Sequence, residues 1–350
     1  MPEISEAELK KQIEKSNFER FYFLYGEEKY LVEHYSHRLM EKAGTEGPHD
    51  FNLMKFDGGT AGIDEIAAAV EALPVMAERK CVAVSNLDVN ALHGADAQKL
   101  QELLSDLPET CVLVVSILSF DFDERRDKNW KKFLTKGNKA GVTVQFHRLP
   151  QVQLEKFVCA GAEKRGCSMT RQNAARMLGL CGGGMQTALN ELEKLCAYTE
   201  KGEITAQTVD LLTAKNLEAR VFDLSKAILS GDSDRAYTIL DQLFYQNEEP
   251  VPILAVLSGA YLDLFRVKTA LQSGFTAMEP ARYFDYARKE FRLKNAGYDA
   301  KRFSDGMLRQ SLNALLNADV ALKSARGDRR LVLEKLIAQL IWITEKEKLS

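Results

Sequence analysis

The stretch RFYFLYGEEKYL, Arg20 to Leu31, decides the fold class. Phe21 to Tyr25 form an apolar run that suits a buried strand, the run ends on Gly26, and helical spacing begins directly behind it. This is the strand, turn and helix of an α/β unit. Tyr30, Leu31, His34, Tyr35 and Leu39 supply the helix stripe, and GTEGPHD (44–50) punctuates the loop that follows. The pattern then repeats. Phe51 to Phe56 predicts a strand, Ile63 to Ala72 a helix with Ile63, Ile66, Ala67 and Val70 inward, Cys81 to Val84 a strand, and Ala97 to Leu107 a helix. Cys111 to Ile117 is almost continuously apolar, as expected of a central parallel strand covered on both faces. A helix carrying Trp130, Phe133 and Leu134 leads to a fifth strand, Val142 to Phe146. Such alternation implies a mostly parallel sheet flanked by helices.

From Leu149 and Pro150 onward the strand signal nearly disappears. Gln153 to Arg165, Arg171 to Leu180, Met185 to Tyr198 and Ala206 to Leu212 read as short helices, with Thr170 and Thr205 placed as N-caps. Longer amphipathic helices begin near Leu217, and in the last of them Leu333, Leu336, Ile337, Leu340 and Ile341 share one face. The expected organisation is an α/β domain over 1–148, a small helical domain over 149–213 and a larger helical domain over 214–350.

The 350 residues are 45% hydrophobic with only 8 prolines and 22 glycines, which excludes a disordered or collagen-like chain. Forty-seven basic against fifty acidic residues give a net charge of -3, so no global positive field recruits nucleic acid or membrane. Any such contact must come from a local patch. Six scattered cysteines (Cys81, Cys111, Cys159, Cys167, Cys181, Cys196) with no CxxC pair read as reduced core residues of a cytoplasmic protein. The N-terminal segment has the wrong pattern for a signal peptide, and Val251 to Leu262 is read as too short to span a bilayer.

A phosphate-binding loop needs G-x-x-x-x-G-K-[ST], because its backbone wraps the phosphates, its lysine reaches them and its hydroxyl holds magnesium. Here the turn is Gly26-Glu27-Glu28-Lys29: the second glycine and the hydroxyl are missing, the lysine is displaced, and two carboxylates face where a triphosphate would lie. Glu27 and Glu28 are expected instead to complement the helix N-terminus. Cys181-Gly182-Gly183-Gly184 follows a helix, so a glycine C-cap is expected rather than a phosphate site. His34 and His37 lack a third metal ligand, and the acidic pairs Asp121/Asp123 and Glu248/Glu249 lack a convergent base or nucleophile. No catalytic residue, metal site or cofactor is assigned.

Two stretches remain. Arg125, Arg126, Lys128, Lys131, Lys132, Lys136 and Lys139 concentrate positive charge around one helix, either as a solvated face or as a surface that tracks phosphates without reading sequence. In Leu73-Pro74-Val75-Met76, Pro74 breaks the preceding helix and leaves apolar residues in a connection, either packed at the sheet edge or exposed as an anchor for a partner's pocket.

FLYGEE (23–28) with the Tyr30-Leu31-Val32-Glu33 helix, Phe51-Asn52, Phe56-Asp57-Gly58, LPVMAERKCVAV (73–84), NELEKL (190–195) and Val221-Phe222-Asp223-Leu224 together resemble the bacterial DNA polymerase III delta subunit family. The ordered set, through the Lys323 to Ile341 segment, carries the resemblance; no single motif does. It implies an AAA+ like parallel-sheet domain without a working P-loop, a helical lid and a C-terminal helical collar. It also implies a clamp-loader subunit that binds and opens the sliding clamp (beta subunit) for loading onto primed DNA. The implied partners are that clamp, the tau/gamma ATPase subunits, delta prime and primed DNA within the loader, in the cytoplasm at the replisome and with no membrane. The family's hydrophobic wedge falls on the block containing Leu73, Pro74, Val75 and Met76. Where the family commonly carries an aromatic or leucine, this chain offers Val75 and the adaptable Met76. The alternatives are a divergent AAA+ ATPase, against which the turn at Gly26 argues, and a helical scaffold or adaptor using only its C-terminal domain.

Overall fold

The computed structural model describes residues 3–44, 49–123, 126–286, 290–324 and 328–349. The chain divides into two compact units, Met1–Leu149 and Pro150–Ser350.

In the first unit, α1 (Glu6–Glu14) precedes five parallel strands: β1 (Phe21–Gly26), β2 (Leu53–Asp57), β3 (Lys80–Ser85), β4 (Cys111–Ser116) and β5 (Val142–Phe146). Their order across the sheet is β2-β3-β4-β1-β5. The connecting helices are α2 (Lys29–Ala43), the single turn α3 (His49–Asn52), α4 (Ile63–Glu71), α5 (Gly94–Ser105) and α6 (Lys128–Ala140). Every residue of β4 is buried, as its unbroken apolar run requires of a strand covered on both faces. Phe21, Phe23 and Tyr25 of β1 face α6, where Trp130, Phe133 and Leu134 are buried and Phe122 stacks on Trp130 with 3.8 Å between ring centroids. The other face holds Tyr22 and Leu24. One strand differs from its expected bounds: Phe51 and Asn52 close a helical turn, and β2 starts at Leu53. Asn52 is fully buried, with its carboxamide hydrogen-bonded to the Val75 main chain.

The second unit is helical apart from a two-residue parallel pair, β6 (Cys167–Ser168) with β7 (Gly202–Glu203). Its helices are α7 (Gln151–Glu163), α8 (Arg171–Cys181), α9 (Met185–Thr199), α10 (Ala206–Leu212), α11 (Leu217–Ser230), α12 (Ser233–Tyr245), α13 (Pro250–Gln272), α14 (Glu290–Asp299), α15 (Asp305–Ser324) and α16 (Arg329–Leu349). Thr170 and Thr205 accept hydrogen bonds from the backbone of Asn173 and Thr208 and cap α8 and α10 as expected. Gly182 ends α8 in the left-handed conformation, with φ of 96°. The five apolar residues of the α16 stripe are all buried in the core of α11 to α16.

The expected short apolar stretch at Val251 is corrected. Helix α13 has 23 residues and is long and apolar enough, by length and composition, to cross a membrane. Its setting is that of a core helix, with Ile253, Leu254, Leu257, Tyr261, Leu264 and Val267 packed inside the helical unit. Asp263, which ends the apolar stretch, lies inside the helix. Its buried carboxylate accepts from Tyr286 Oη at 2.5 Å and Arg292 Nε at 2.7 Å, so the charge is paired within the fold.

Two buried tyrosines differ in how their hydroxyls are satisfied. Tyr22 Oη donates to Gln12 and accepts from the Glu19 N–H, each at 3.0 Å. Tyr261 Oη is buried with no hydrogen-bond partner among the described residues. Burying an unpaired hydroxyl is unfavourable, whereas removing one member of a satisfied set strands the others. Tyr22→Phe should therefore lower unfolding free energy by about 1 kcal/mol, and Tyr261→Phe should leave it unchanged or raise it, measured by urea denaturation of both variants.

Candidate partner-binding site

The two ends of the sheet present different chemistry. At the carboxyl ends of the strands, where open α/β sheets bind ligands, the turn after β1 closes on itself. Gly26 has φ of 134°, and a Cβ there would lie 2.2 Å from the Phe146 carbonyl oxygen, so only glycine fits. The Glu28 N–H donates to that same carbonyl at 3.1 Å. Glu28 holds the cap position of α2 without a regular side-chain cap hydrogen bond. Burial pushes its carboxyl above the ordinary range, partly offset by the Tyr30 N–H and the Arg148 charge.

Lys29, the displaced lysine of the turn, is fully engaged. Its ammonium donates to the Phe120 carbonyl at 2.8 Å and the Ile117 carbonyl at 3.4 Å, and pairs with Asp121 at 2.7 Å. The loop after β4 is held from its other side by Asn86, whose Oδ1 accepts from the N–H groups of Leu118 and Ser119 at 2.9 Å. Beside this loop a depression of about 710 Å³ is lined by Asp88, Asp121, Asp123 and Asp127 together with Arg126 and Lys128. A triphosphate would meet four carboxylates against two cations there and no free lysine from the turn.

The amino ends of β2 and β3 carry the apolar residues. Leu73 is 80% exposed, Val75 40% and Met76 88%, with Pro74 half-buried. Phe51, 63% exposed, adds apolar surface next to Asn52. Beneath the exposed residues the main chain is anchored. Asn52, fully buried, donates from Nδ2 to the Val75 carbonyl and accepts the Val75 N–H at Oδ1, both at 2.8 Å. Lys80 is also buried, and its ammonium donates to the carbonyls of Ala69 and Ala72 at the end of α4. Desolvation pushes its pKa down. Three apolar side chains in water on an anchored connection are unusual for a fold with no use for them.

The chain matches two family models: DNA polymerase III, delta subunit, over residues 22–145, and DNA polymerase III delta subunit, C-terminal domain, over residues 218–340. The chain belongs to the DNA polymerase III delta subunit family. Among its relatives, the DNA polymerase III subunit delta of Bacillus subtilis is 26% identical over 341 residues, covering 96% of this chain and 97% of that protein. The Escherichia coli subunit is 26% identical over 308 residues, 87% of each chain. The solved structure of a Bacillus subtilis DNA clamp loader delta protein is 25% identical, covers 96% of this chain and 99% of its own, and superposes with a TM-score of 0.57. The parallel-sheet unit followed by a helical unit is thus the delta-family fold, and the solved relative is named a clamp loader protein.

Of the residues singled out from the delta-family sequence, Gly26 to Lys29 and Leu73 to Met76 fall at opposite ends of the sheet and do not form one site. In the basic run, Arg126, Lys128, Lys131, Lys132 and Lys139 are exposed around α6, and Lys136 is half-buried and reaches the Gln101 carbonyl at 3.4 Å. Arg125 lies outside the described residues. Asp127, the one acidic residue in that run, caps α6 by accepting from the Asn129 and Trp130 N–H groups. His34 stacks on Tyr30, with 5.8 Å between ring centroids, and no three His, Cys, Asp or Glu among the described residues gather as metal ligands. The anchoring roles of Asn52 and Lys80 escaped the sequence reading: their contacts are 23 and 8 to 11 residues away in the chain and follow no local spacing. An asparagine directly before an edge strand and a lysine opening a largely apolar strand are the signals that could have found them.

Because Lys29 staples a loop, Lys29→Ala should lower stability by about 1 kcal/mol. It should leave the ATPase of an assembled loader unchanged. Thermal unfolding and loader ATPase assays check the two halves, and a large ATPase loss with intact folding would restore a nucleotide role to the turn.

Proposed function

We propose that this chain binds and opens a sliding clamp for loading onto primed DNA, through the apolar tip formed by Leu73, Pro74, Val75 and Met76. The observation that carries the reading is the exposure of Leu73 and Met76 at 80% and 88% on a connection whose main chain is hydrogen-bonded to buried Asn52. Exposed apolar side chains on a rigid support match the anatomy of a protein-interface anchor. Membership of the delta family supplies the partner class. Fully burying a valine and a methionine side chain is worth about 1.5–3 kcal/mol each, enough for a small tip to contribute materially to affinity.

On this reading the chain is not itself an enzyme; the polymerase activity of the holoenzyme resides in another subunit. The self-closed turn at Gly26, with Lys29 engaged by Asp121, Phe120 and Ile117, argues against a divergent ATPase. Residues 149–213 act as the lid and 214–350 as the collar that joins the tau/gamma subunits and delta prime. The exposed lysines of α6 contact phosphates of primed DNA without reading bases. Such contacts are salt-dependent and add to binding only once the loader holds the chain close to DNA. The setting is the cytoplasmic replisome.

The decisive experiment uses the full chain with Val75→Ser and Met76→Ser together. Clamp binding should weaken by about 2 kcal/mol, roughly 30-fold in Kd, while entry into the loader and thermal stability hardly change. A double variant that binds the clamp as tightly as the parent removes the tip from the interface. One that melts far earlier shows that the two side chains are structural.

A further inference from the structure

Val75 commits both of its main-chain polar groups to one side chain. Its N–H donates to Asn52 Oδ1 and its carbonyl accepts from Asn52 Nδ2, each at 2.8 Å. A carboxamide carries one donor face and one acceptor face, so it can satisfy a peptide unit as a neighbouring strand would. Asn52 is fully buried, so water does not compete for its side of either bond. The following residue, Met76, has φ of 50°. That left-handed conformation is sterically disfavoured for a side chain with a Cβ, and it persists where the surroundings impose it. The same stretch is limited on its other side by Lys80, whose ammonium takes the Ala69 and Ala72 carbonyls and fixes where α4 ends and Leu73 begins. Only the side chains of the tip are free.

We propose that Asn52 is a positioning residue for partner binding: its carboxamide holds Val75 and Met76 in the conformation that enters the partner, and it sets affinity without touching the partner. The inference rests on the reading of Leu73 to Met76 as the clamp-contacting tip. Freed from Asn52, Met76 relaxes toward the commoner backbone regions, and only a fraction of molecules presents the tip competently. Apparent affinity then falls by that fraction.

The test uses the full chain and purified sliding clamp. Asn52→Leu keeps the number of side-chain heavy atoms and the branch at Cγ and removes both hydrogen bonds, and Val75, being 40% exposed, can turn its freed groups to water. Clamp Kd is measured for the parent, Asn52→Leu, the Val75→Ser/Met76→Ser pair, and all three changes together. Asn52→Leu should weaken binding about tenfold in the parent and add nothing once the tip side chains are gone. In the free protein, amide hydrogen exchange at 75–77 should accelerate while β1, β3 and β4 stay protected. Parent-like affinity in Asn52→Leu, or the same tenfold loss when the tip is already removed, overturns the inference and leaves the tip reading standing. Exchange that rises across the whole sheet, or a chain that fails to fold, also overturns it, because Asn52 would then be holding the fold rather than the tip. If the Val75→Ser/Met76→Ser pair binds like the parent, the tip reading fails and the inference falls with it.

Discussion

The parallel pairing of β2 with β3 is the constraint on which the exposed tip depends. Leu53 lies beside Cys81 and Phe56 beside Val84, so Asn52, directly before β2, enters next to Lys80, the first residue of β3. One register thus brings two buried polar side chains to the same edge, and each reaches back to the α4–β3 connection. Slipping the pairing by one residue would shift Asn52 along the edge of β3 and take its carboxamide out of reach of Val75. The inner strands make such a slip expensive: β3 is itself fixed against β4 from Lys80 beside Cys111 to Ser85 beside Ser116. The order of the apolar tip is therefore set by the sheet rather than by the loop.

The same sheet separates two tasks that the sequence places less than fifty residues apart. At the carboxyl ends, Gly26 lets the chain press against Phe146, and Lys29 uses its donors on the loop after β4. A lysine that would serve an anion is consumed by the protein's own carbonyls and Asp121, which turns a potential ligand crevice into a stapled corner. At the amino ends, hydrogen bonding is completed underneath and apolar surface is left on top. This division follows from parallel topology, since every βα connection emerges at one edge and every αβ connection at the other.

Much of the architecture was legible because parallel strands buried on both faces leave long apolar runs, as at Phe21 to Tyr25 and Cys111 to Val115, and because Thr170 and Thr205 carry their capping role in local spacing. Two readings went astray for one reason. Phe51–Asn52 looked like strand and Val251–Leu262 like an apolar stretch too short to span a bilayer, yet Asn52 is drawn inward by Val75 and α13 runs on through Asp263, which Tyr286 and Arg292 neutralise. In both places a polar residue satisfied by a distant partner overrides local pattern. The exposure of Leu73, Val75 and Met76 stood in the sequence only as one of two options, because apolar composition is the same whether a connection folds inward or is held outward. What distinguishes them is the pair of hydrogen bonds from Asn52.

Rigid support matters more for this tip than for one built on an aromatic. Val75 is β-branched and stiff, whereas Met76 has three rotatable side-chain bonds and can fit an irregular pocket. A flexible side chain on a flexible backbone would lose both kinds of freedom on docking, and the entropy lost would cancel much of the gain from burying so few atoms. With the main chain already held, the side-chain rotamers, chiefly those of Leu73 and Met76, remain to be ordered. For a subunit proposed to favour an open ring, this division has a further consequence: a ligand shifts a conformational equilibrium only by its differential affinity for the two states. An adaptable side chain alone would accommodate either shape of the pocket. The fixed backbone beneath it limits that accommodation and makes discrimination between the two shapes physically available.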